Sequence, residues 1–397
     1  MNEYALRASD LFKTCFRTNP EAVLFAPGRV NLIGEHIDYN GGRVMPCSLS
    51  LGTYAAAARR NDGVIRLVSV DMGGAVVETT SQELASLPCV PLSFARFGWA
   101  EYPLGVAAKL IENGFYIGGF EMAVCGDLPR GSGLSSSASL EVLTCAVLKE
   151  LFFIRLTGEQ AALVSLAAER DCAGVNCGIM DQFISANGRK DHAMLLDSHT
   201  LENEYLPFDL KDAALLIMNT KKPRRLADSK YNERRSECEE ALRIINANGL
   251  EKKCLCDIDE DEFASVEAIL PEPLRRRARH AVTENVRTLL AADALREGDI
   301  AALGRLMNAS HDSLKDDYEV TGKELDSIVY AARDQQGVLG ARMTGAGFGG
   351  CAIAIVEKAR AKEVIENVTA RYKAETGLDC EIYAAETGES PFGKENR

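Results

Sequence analysis

The 397-residue chain reads as an α+β protein of about two domains. Three observations predict this. At roughly 150 residues per domain, the length gives about two domains, with three as the alternative. Hydrophobic residues make up 46% of the chain and charged residues 26%, the balance of a soluble globular protein, which excludes disorder, collagen and repeat fibres. Strand-like and helix-like segments mix without the strict βαβα alternation of a doubly wound sheet.

The elements follow in order. The N-terminus, with Glu3, Arg7, Asp10 and Lys13 on a helical pattern, lacks the form of a signal peptide. Val23–Ala26, Val64–Val70 and Phe120–Cys125 read as strands, because their apolar residues alternate or run continuously between Pro-Gly, Asn-Asp-Gly or Gly-Gly flanks. Ser135–Leu151 reads as a helix, with Leu140, Leu143, Val147, Leu148 and Leu151 at its period. A second helix opens at Thr157, where Thr-Gly-Glu-Gln has the form of a capping box, and runs to about Asp171. A third is expected over Val175–Ala186, stopped by the Asn187-Gly188 pair.

Leu215–Asn219 is a further strand. The chain then becomes more helical and more charged, through Ser229–Ala247, Pro273–Arg296, Ile300–Leu314 and Lys323–Gln335. The charge clusters Arg275–Arg277 and Lys315–Asp317 read as solvated helix faces. A strand at Cys351–Glu357, a helix at Ala359–Thr376 and the segment Glu381–Ala385 follow. The change of composition near residues 205–212 divides the chain into an N-terminal domain, 1–208, and a C-terminal domain, 209–397.

Charge and cysteine usage exclude several function classes. Lys plus Arg number 45 against 58 for Asp plus Glu, a net charge of −13 that gives no basic footprint for nucleic acid. The longest apolar runs, Ala213–Met218 and Cys351–Val356, are far shorter than the roughly 18–20 residues that span a bilayer. The twelve cysteines sit singly in apolar segments. The close pairs Cys172/Cys177 and Cys254/Cys256 lack zinc-ribbon spacing, and the five histidines are scattered. Reduced thiols in a cytoplasmic protein, without a structural zinc, are expected. An acidic surface without an apolar stripe is compatible with a monomer.

Three segments carry chemistry. The first, Ala26 to Gly42, packs Arg29, Glu35, His36 and Asp38 between glycines. Ionisable groups beside apolar residues are costly to bury unless paired or facing a ligand, and carboxylates accept hydrogen bonds from a polyol. The second, Gly126 to Ser139, lies between a strand and a helix. Its glycines permit close backbone approach, and the free N–H groups at the helix start favour anions. It is a phosphate cradle without the Walker pattern G-x-x-x-x-G-K-[ST]. The third, Arg342 to Cys351, has four glycines in six residues ahead of a strand. Each segment alone also fits a plain turn. Asp181, in an apolar helical stretch, is either a satisfied core acid or an active-site base. Glu169, beside Arg170, reads by itself as a helix-surface charge.

Taken together, these segments resemble the superfamily of galactokinase, homoserine kinase, mevalonate kinase and phosphomevalonate kinase, and within it the galactokinase family. Gly28–Asn40 is similar to that family's signature, with Ile37 where Thr is common. Gly131–Ser139 resembles the superfamily's phosphate loop, and Gly345–Gly350 its third motif, with Ala346 where some members have Gly. Cys177–Gln182 and Lys230–Arg235 match as well, so the likeness runs from about residue 20 to about 385.

The resemblance implies a two-lobed sugar-kinase fold with the active site in the cleft between lobes. It implies phosphoryl transfer from Mg·ATP to the anomeric hydroxyl of galactose. Glu35, His36 and Asp38 would hold sugar hydroxyls, with Gly178 and Tyr231 completing the pocket. Gly131, Ser132, Gly133, Leu134, Ser135 and Ser136 would wrap the triphosphate, and Ser69 would lie near the nucleotide. Ser135 and Glu169 would hold Mg2+, which reverses the surface reading of Glu169. Asp181 would accept the hydroxyl proton, with Arg29 beside it offsetting charge on the transferring group. A kinase for N-acetylgalactosamine or a related sugar, and a non-catalytic galactose and ATP sensor, are the competing readings. The complete Ser135–Ser139 run and the presence of Asp181 weigh against the sensor.

Overall fold

The strand that opens at Ala22 does not stop at Ala26. In the computed structural model, which describes residues 2–129, 133–222 and 227–393, it continues to Asn31 and carries the first half of the charged signature into the sheet. The strands in chain order are β1 (Ala22–Asn31), β2 (Arg43–Val44), β3 (Pro46–Arg60), β4 (Val64–Ser69), β5 (Val76–Thr80), β6 (Gly119–Gly126), β7 (His192–Asp197), β8 (Asn203–Pro207), β9 (Ala213–Asn219), β10 (Val338–Thr344), β11 (Cys351–Glu357) and β12 (Glu381–Ala385). They form a five-stranded sheet in the order β1-β3-β6-β4-β5, a four-stranded sheet in the order β10-β11-β9-β12, and a small sheet β2-β7-β8. Among the described strand pairs only β4 and β6 run parallel, and the chain between them passes through β5 and the helix Glu101–Glu112. The α+β expectation holds.

The 15-residue β3 is absent from the sequence reading, and its composition explains why. Ala55 and Ala57 belong to the main core beneath the helix Ser136–Phe152. Tyr54, Ala56 and Ala58 face the opposite way, against Ala8, Phe12 and Phe16 of the helix Glu3–Phe16. A strand covered on both faces loses its polar alternation, and alanine favours helix in isolation.

Other boundaries shift for local reasons. The helix opened by Thr157 has the expected capping box with Gln160, but it ends at Ala168 and continues as a π-helical turn, Glu169–Ala173. The helix expected from Val175 starts at Met180, and 175–179 is an irregular connection. Its Gly188 cap is extended rather than left-handed. Arg277 corrects the reading of Arg275–Arg277 as a solvated face: it is buried, paired with Glu237 and Glu319.

The two halves share a core. Val30, Leu32, Met45, Cys47 and Leu49 pack in one cluster with Leu215, Ile217, Leu295, Leu303 and Ile353. The end of the chain also returns to the first half, where Gly388 N–H donates to Ser48 O at 2.9 Å and Ser50 N–H to Glu386 O at 2.8 Å. All twelve cysteines are unpaired as disulfides. Among the described residues, no helix is long and apolar enough to cross a membrane, and no cluster of His, Cys, Asp or Glu has the arrangement of a metal centre.

Candidate active site

The register of β1 against β3 shifts between Pro27 and Arg29. Such a bulge re-aims the side chain that follows it, and Arg29 points into a cavity of about 330 Å³ between the two halves. Arg29 Nε donates to Asp181 Oδ1 at 2.8 Å and Nη2 to Oδ2 at 2.7 Å, a bidentate pair, while Nη1 donates to Gly133 O at 2.6 Å. Asp181 stands in the first turn of the helix Met180–Asn187, where a carboxylate suits the exposed N–H groups. Its side chain is 29% exposed, against 6% for Arg29, so the acid reaches the cavity while its partner is enclosed.

Ser135 O–H also donates to Asp181 Oδ2. Ser135 precedes the helix Ser136–Phe152 in a left-handed conformation, φ 61°, and makes no capping bond with its side chain. Its hydroxyl bonds the acid instead of capping the helix. Its hydroxyl oxygen keeps lone pairs because it donates its proton. Leu134 is buried, and its carbonyl accepts from Arg29 N–H at 3.2 Å. Gly131 and Ser132 lie outside the described residues. Ser69 is buried at the end of β4 beside β6 and does not line the cavity.

The cavity wall gathers Arg29, Glu35, His36, Asp38, Gly178, Asp181 and Tyr231 from three separate chain regions, and Gly345 and Ala346 add a fourth. Glu35 accepts from Asn31 Nδ2 and from Arg342 Nη1 (3.1 Å) on one oxygen, and from Gly345 N–H on the other. Burial pushes its carboxyl up, opposed by Arg342 and the Gly345 bond. Asp38 is also pushed up, to about 6, by burial first and then by the charges of Asp181 and Glu35. A Cβ at Gly178 would overlap Asp38 Oδ2, so only glycine lets the 174–178 segment close against that acid.

His36 is held at both nitrogens. Nε2 lies 3.1 Å from Ala346 O, which can only accept, so Nε2 carries the proton and Nδ1 accepts from Tyr39 O–H at 2.8 Å. Burial pushes its pKa down to about 3, so the ring is neutral at physiological pH. The chain of hydroxyls continues from Tyr39 to Tyr318 at 2.9 Å. The ring of Tyr231, from the helix Ala227–Ala247, packs against His36 and Tyr39 at 5.5 and 5.3 Å.

Glu169 sits in the π-helical turn and is 6% exposed, a buried acid rather than a surface charge. Such turns recur at functional sites because they rotate one side chain out of helical register. Gln182 Nε2 donates to Glu169 Oε2, and the Cys177 thiol lies 3.2 Å away. Burial pushes the Glu169 carboxyl up, and no described Lys or Arg pairs with it. Ser137, two residues from Ser135, opposes that rise. A hydroxyl and an uncompensated carboxylate are hard oxygen donors, the kind that suits Mg2+.

Residue roles that sequence reasoning missed are those of Asn31, Arg342 and Tyr39, all of which brace other site residues. Arg342 and Asn31 are adjacent in space but 311 positions apart, so no local pattern signals them.

Known proteins match over the whole of this arrangement. Residues 10–59 match the galactokinase galactose-binding signature, residues 101–189 the N-terminal domain of GHMP kinases, and residues 291–374 their C-terminal region. A galactokinase of Fusobacterium nucleatum is 46% identical over 382 residues, covering 95% of this chain and 96% of its own. One from Lactiplantibacillus plantarum is 45% identical over 392 residues, covering 97% and 99%. The crystal structure of Lactococcus lactis galactokinase complexed with galactose superimposes with a TM-score of 0.89 at 42% identity, over 97% of this chain and 98% of that one. Methanococcus jannaschii mevalonate kinase, at 19% identity and a TM-score of 0.66 over 93% and 98%, shares the fold.

Proposed function

The chain belongs to the galactokinase family, and from that membership we infer that it is an ATP-dependent kinase that phosphorylates D-galactose at the anomeric hydroxyl, giving galactose 1-phosphate and ADP. The observation that carries this reading is the Arg29–Asp181–Ser135 constellation at the wall of a cavity lined by Glu35, Asp38 and Tyr231.

Phosphoryl transfer asks the protein chiefly for positioning and charge stabilisation. We assign Asp181 as acceptor of the hydroxyl proton, worth about 10²–10⁴ in rate. Arg29 fixes its two oxygens and offsets charge on the transferring phosphoryl group. Asp38 and the remaining lone pair of Glu35 accept from sugar hydroxyls. His36, assigned to the sugar by the family resemblance, shapes the wall with Tyr231. Ser69 and the Gly131–Ser136 loop, with its N–H groups at the helix start, are assigned to the nucleotide. Ser135 Oγ and the Glu169 carboxylate are the residues that would hold Mg2+. Bound there, the ion supplies positive charge to the phosphate oxygens. The lobes are taken as 1–208 and 209–397, and twelve free thiols suit a reducing cytoplasm.

The test is ADP release from Mg·ATP with galactose, N-acetylgalactosamine, arabinose, glucose or no sugar. Release that depends on galactose is expected. Turnover mainly with another sugar moves the substrate, and none with any sugar from folded, ATP-binding protein removes the kinase.

A further inference from the structure

We propose that Arg342 is a positioning residue for the sugar pocket, acting through Glu35 to hold the Gly345–Ala346 lip. This rests on the kinase reading above and goes beyond it.

Arg342, on β10, is fully buried and absent from the cavity wall. Its Nη1 donates to Asn31 O at 3.2 Å and to Glu35 Oε2 at 3.1 Å, while Nε and Nη2 have no partner among the described residues. A buried guanidinium with two unpaired nitrogens is an expensive way to stabilise a core, since hydrophobic replacement of buried ion pairs is often neutral or stabilising. Stability therefore does not account for it. The geometry around Glu35 does.

Every other freedom of that residue is already taken. Glu284 accepts from Gly34 N–H at 3.0 Å, immediately before it. The His280 ring bonds Glu35 O at 3.0 Å. These fix the backbone from behind, and only the carboxylate remains to be oriented. Arg342 and Asn31 hold one oxygen, which turns the other to Gly345 N–H at the mouth of the cavity. The next carbonyl, Ala346 O, is held by His36. The third glycine-rich motif is thus tied to the signature segment at two successive residues. Without the guanidinium, the buried Glu35 carboxylate loses its one ion-pair partner among the described residues, and with it the orientation that grips the lip.

The experiment compares Arg342→Met, Arg342→Lys, Glu35→Gln and the double variant Arg342→Met/Glu35→Gln with the wild type. It measures thermal unfolding, galactose KM, ATP KM, and galactose affinity by calorimetry. Arg342→Met leaves the buried Glu35 without its partner, so it is expected to fold with a lowered melting temperature, and with galactose KM raised about tenfold or more, the cost of misplacing one charge-assisted hydrogen bond. ATP KM should stay within about twofold on the same reasoning, with Arg342→Lys intermediate. The double variant should be no worse for galactose than Glu35→Gln alone, because Arg342 acts through Glu35.

Unchanged galactose KM in folded Arg342→Met, equal rises in both KM values, or additive losses in the double variant would each overturn the proposal. If Arg342→Met fails to fold, the same criteria applied to Arg342→Lys decide. A wild type that binds galactose without turning it over sinks the kinase reading alone, and calorimetry then judges Arg342. A wild type that neither binds nor phosphorylates galactose removes both.

Discussion

Asp181 is defined by what surrounds it. Three donors, two from Arg29 and one from Ser135, orient its carboxylate while the side chain still reaches the cavity. Asp181→Asn is expected to keep nucleotide binding and lose turnover by at least about two orders of magnitude, the range of a lost proton acceptor. Steady-state kinetics beside an ATP-binding isotherm checks this, and near-wild-type turnover would remove the role. Glu169→Gln should raise the Mg2+ concentration needed for half-maximal rate, since one hard charged ligand is lost; an identical titration curve would count against the assignment. Asp38 gives a pH dependence. Pushed up to about 6 by burial and by Asp181 and Glu35, it is ionised above that pH and accepts a hydroxyl, and is protonated below it. Galactose KM should therefore rise as pH falls through about 6. The folded state holds this proton more tightly than the unfolded chain, so its stabilising contribution is present at low pH and lost as pH rises through 6. Asp38→Asn should accordingly melt higher than wild type at pH 8 while binding galactose more weakly, and a lower melting temperature there would contradict the linkage. At this scale the sequence was informative: the acids and glycines that line the cavity stand in dense local motifs. What it concealed was engagement, such as the two occupied nitrogens of His36, because hydrogen-bond partners 310 residues away leave no local trace.

Elements were legible where one face met water. The helix Gly158–Ala168 declared itself through Thr157 and Gln160, and both bonds of the capping box are present. Thr157→Ala should lower unfolding free energy by about 1 kcal/mol, the usual cost of a lost N-cap. Urea titration should show a shifted midpoint at unchanged slope, with kcat unaltered; an unshifted midpoint would mean tertiary packing alone holds the helix start. The same helix ends in a π-helical turn that its period does not announce, and that turn delivers Glu169 inward. β3 was illegible for the opposite reason, with alanines buried against helices on both faces. The segment 175–179 looked helical, but Gly178 is required there for approach to Asp38, a contact with a residue 140 positions earlier.

At the scale of the whole molecule, the expected division at 208 falls in the connection between β8, which ends at Pro207, and β9, which begins at Ala213. Yet the cluster joining Leu32 and Met45 to Ile217 and Ile353, and the return of Thr387 to pair with Leu49, bind the two parts into one packed body. The single tryptophan, Trp99, reports on the first half alone. Its fluorescence and the far-UV circular dichroism of the whole chain should therefore lose signal in one coincident urea transition. Two separated midpoints would show lobes that unfold independently. The sequence by itself determined the α+β class, the family resemblance, and which acids, glycines and serines are the candidates for the chemistry, because these are properties of composition and short motifs. Only the tertiary structure decided which of them touch. The Arg29–Asp181 pair spans 152 positions and the Arg342–Glu35 pair 307. Such contacts are set by how sheets and helices pack their buried faces, a non-local outcome that no window along the chain contains.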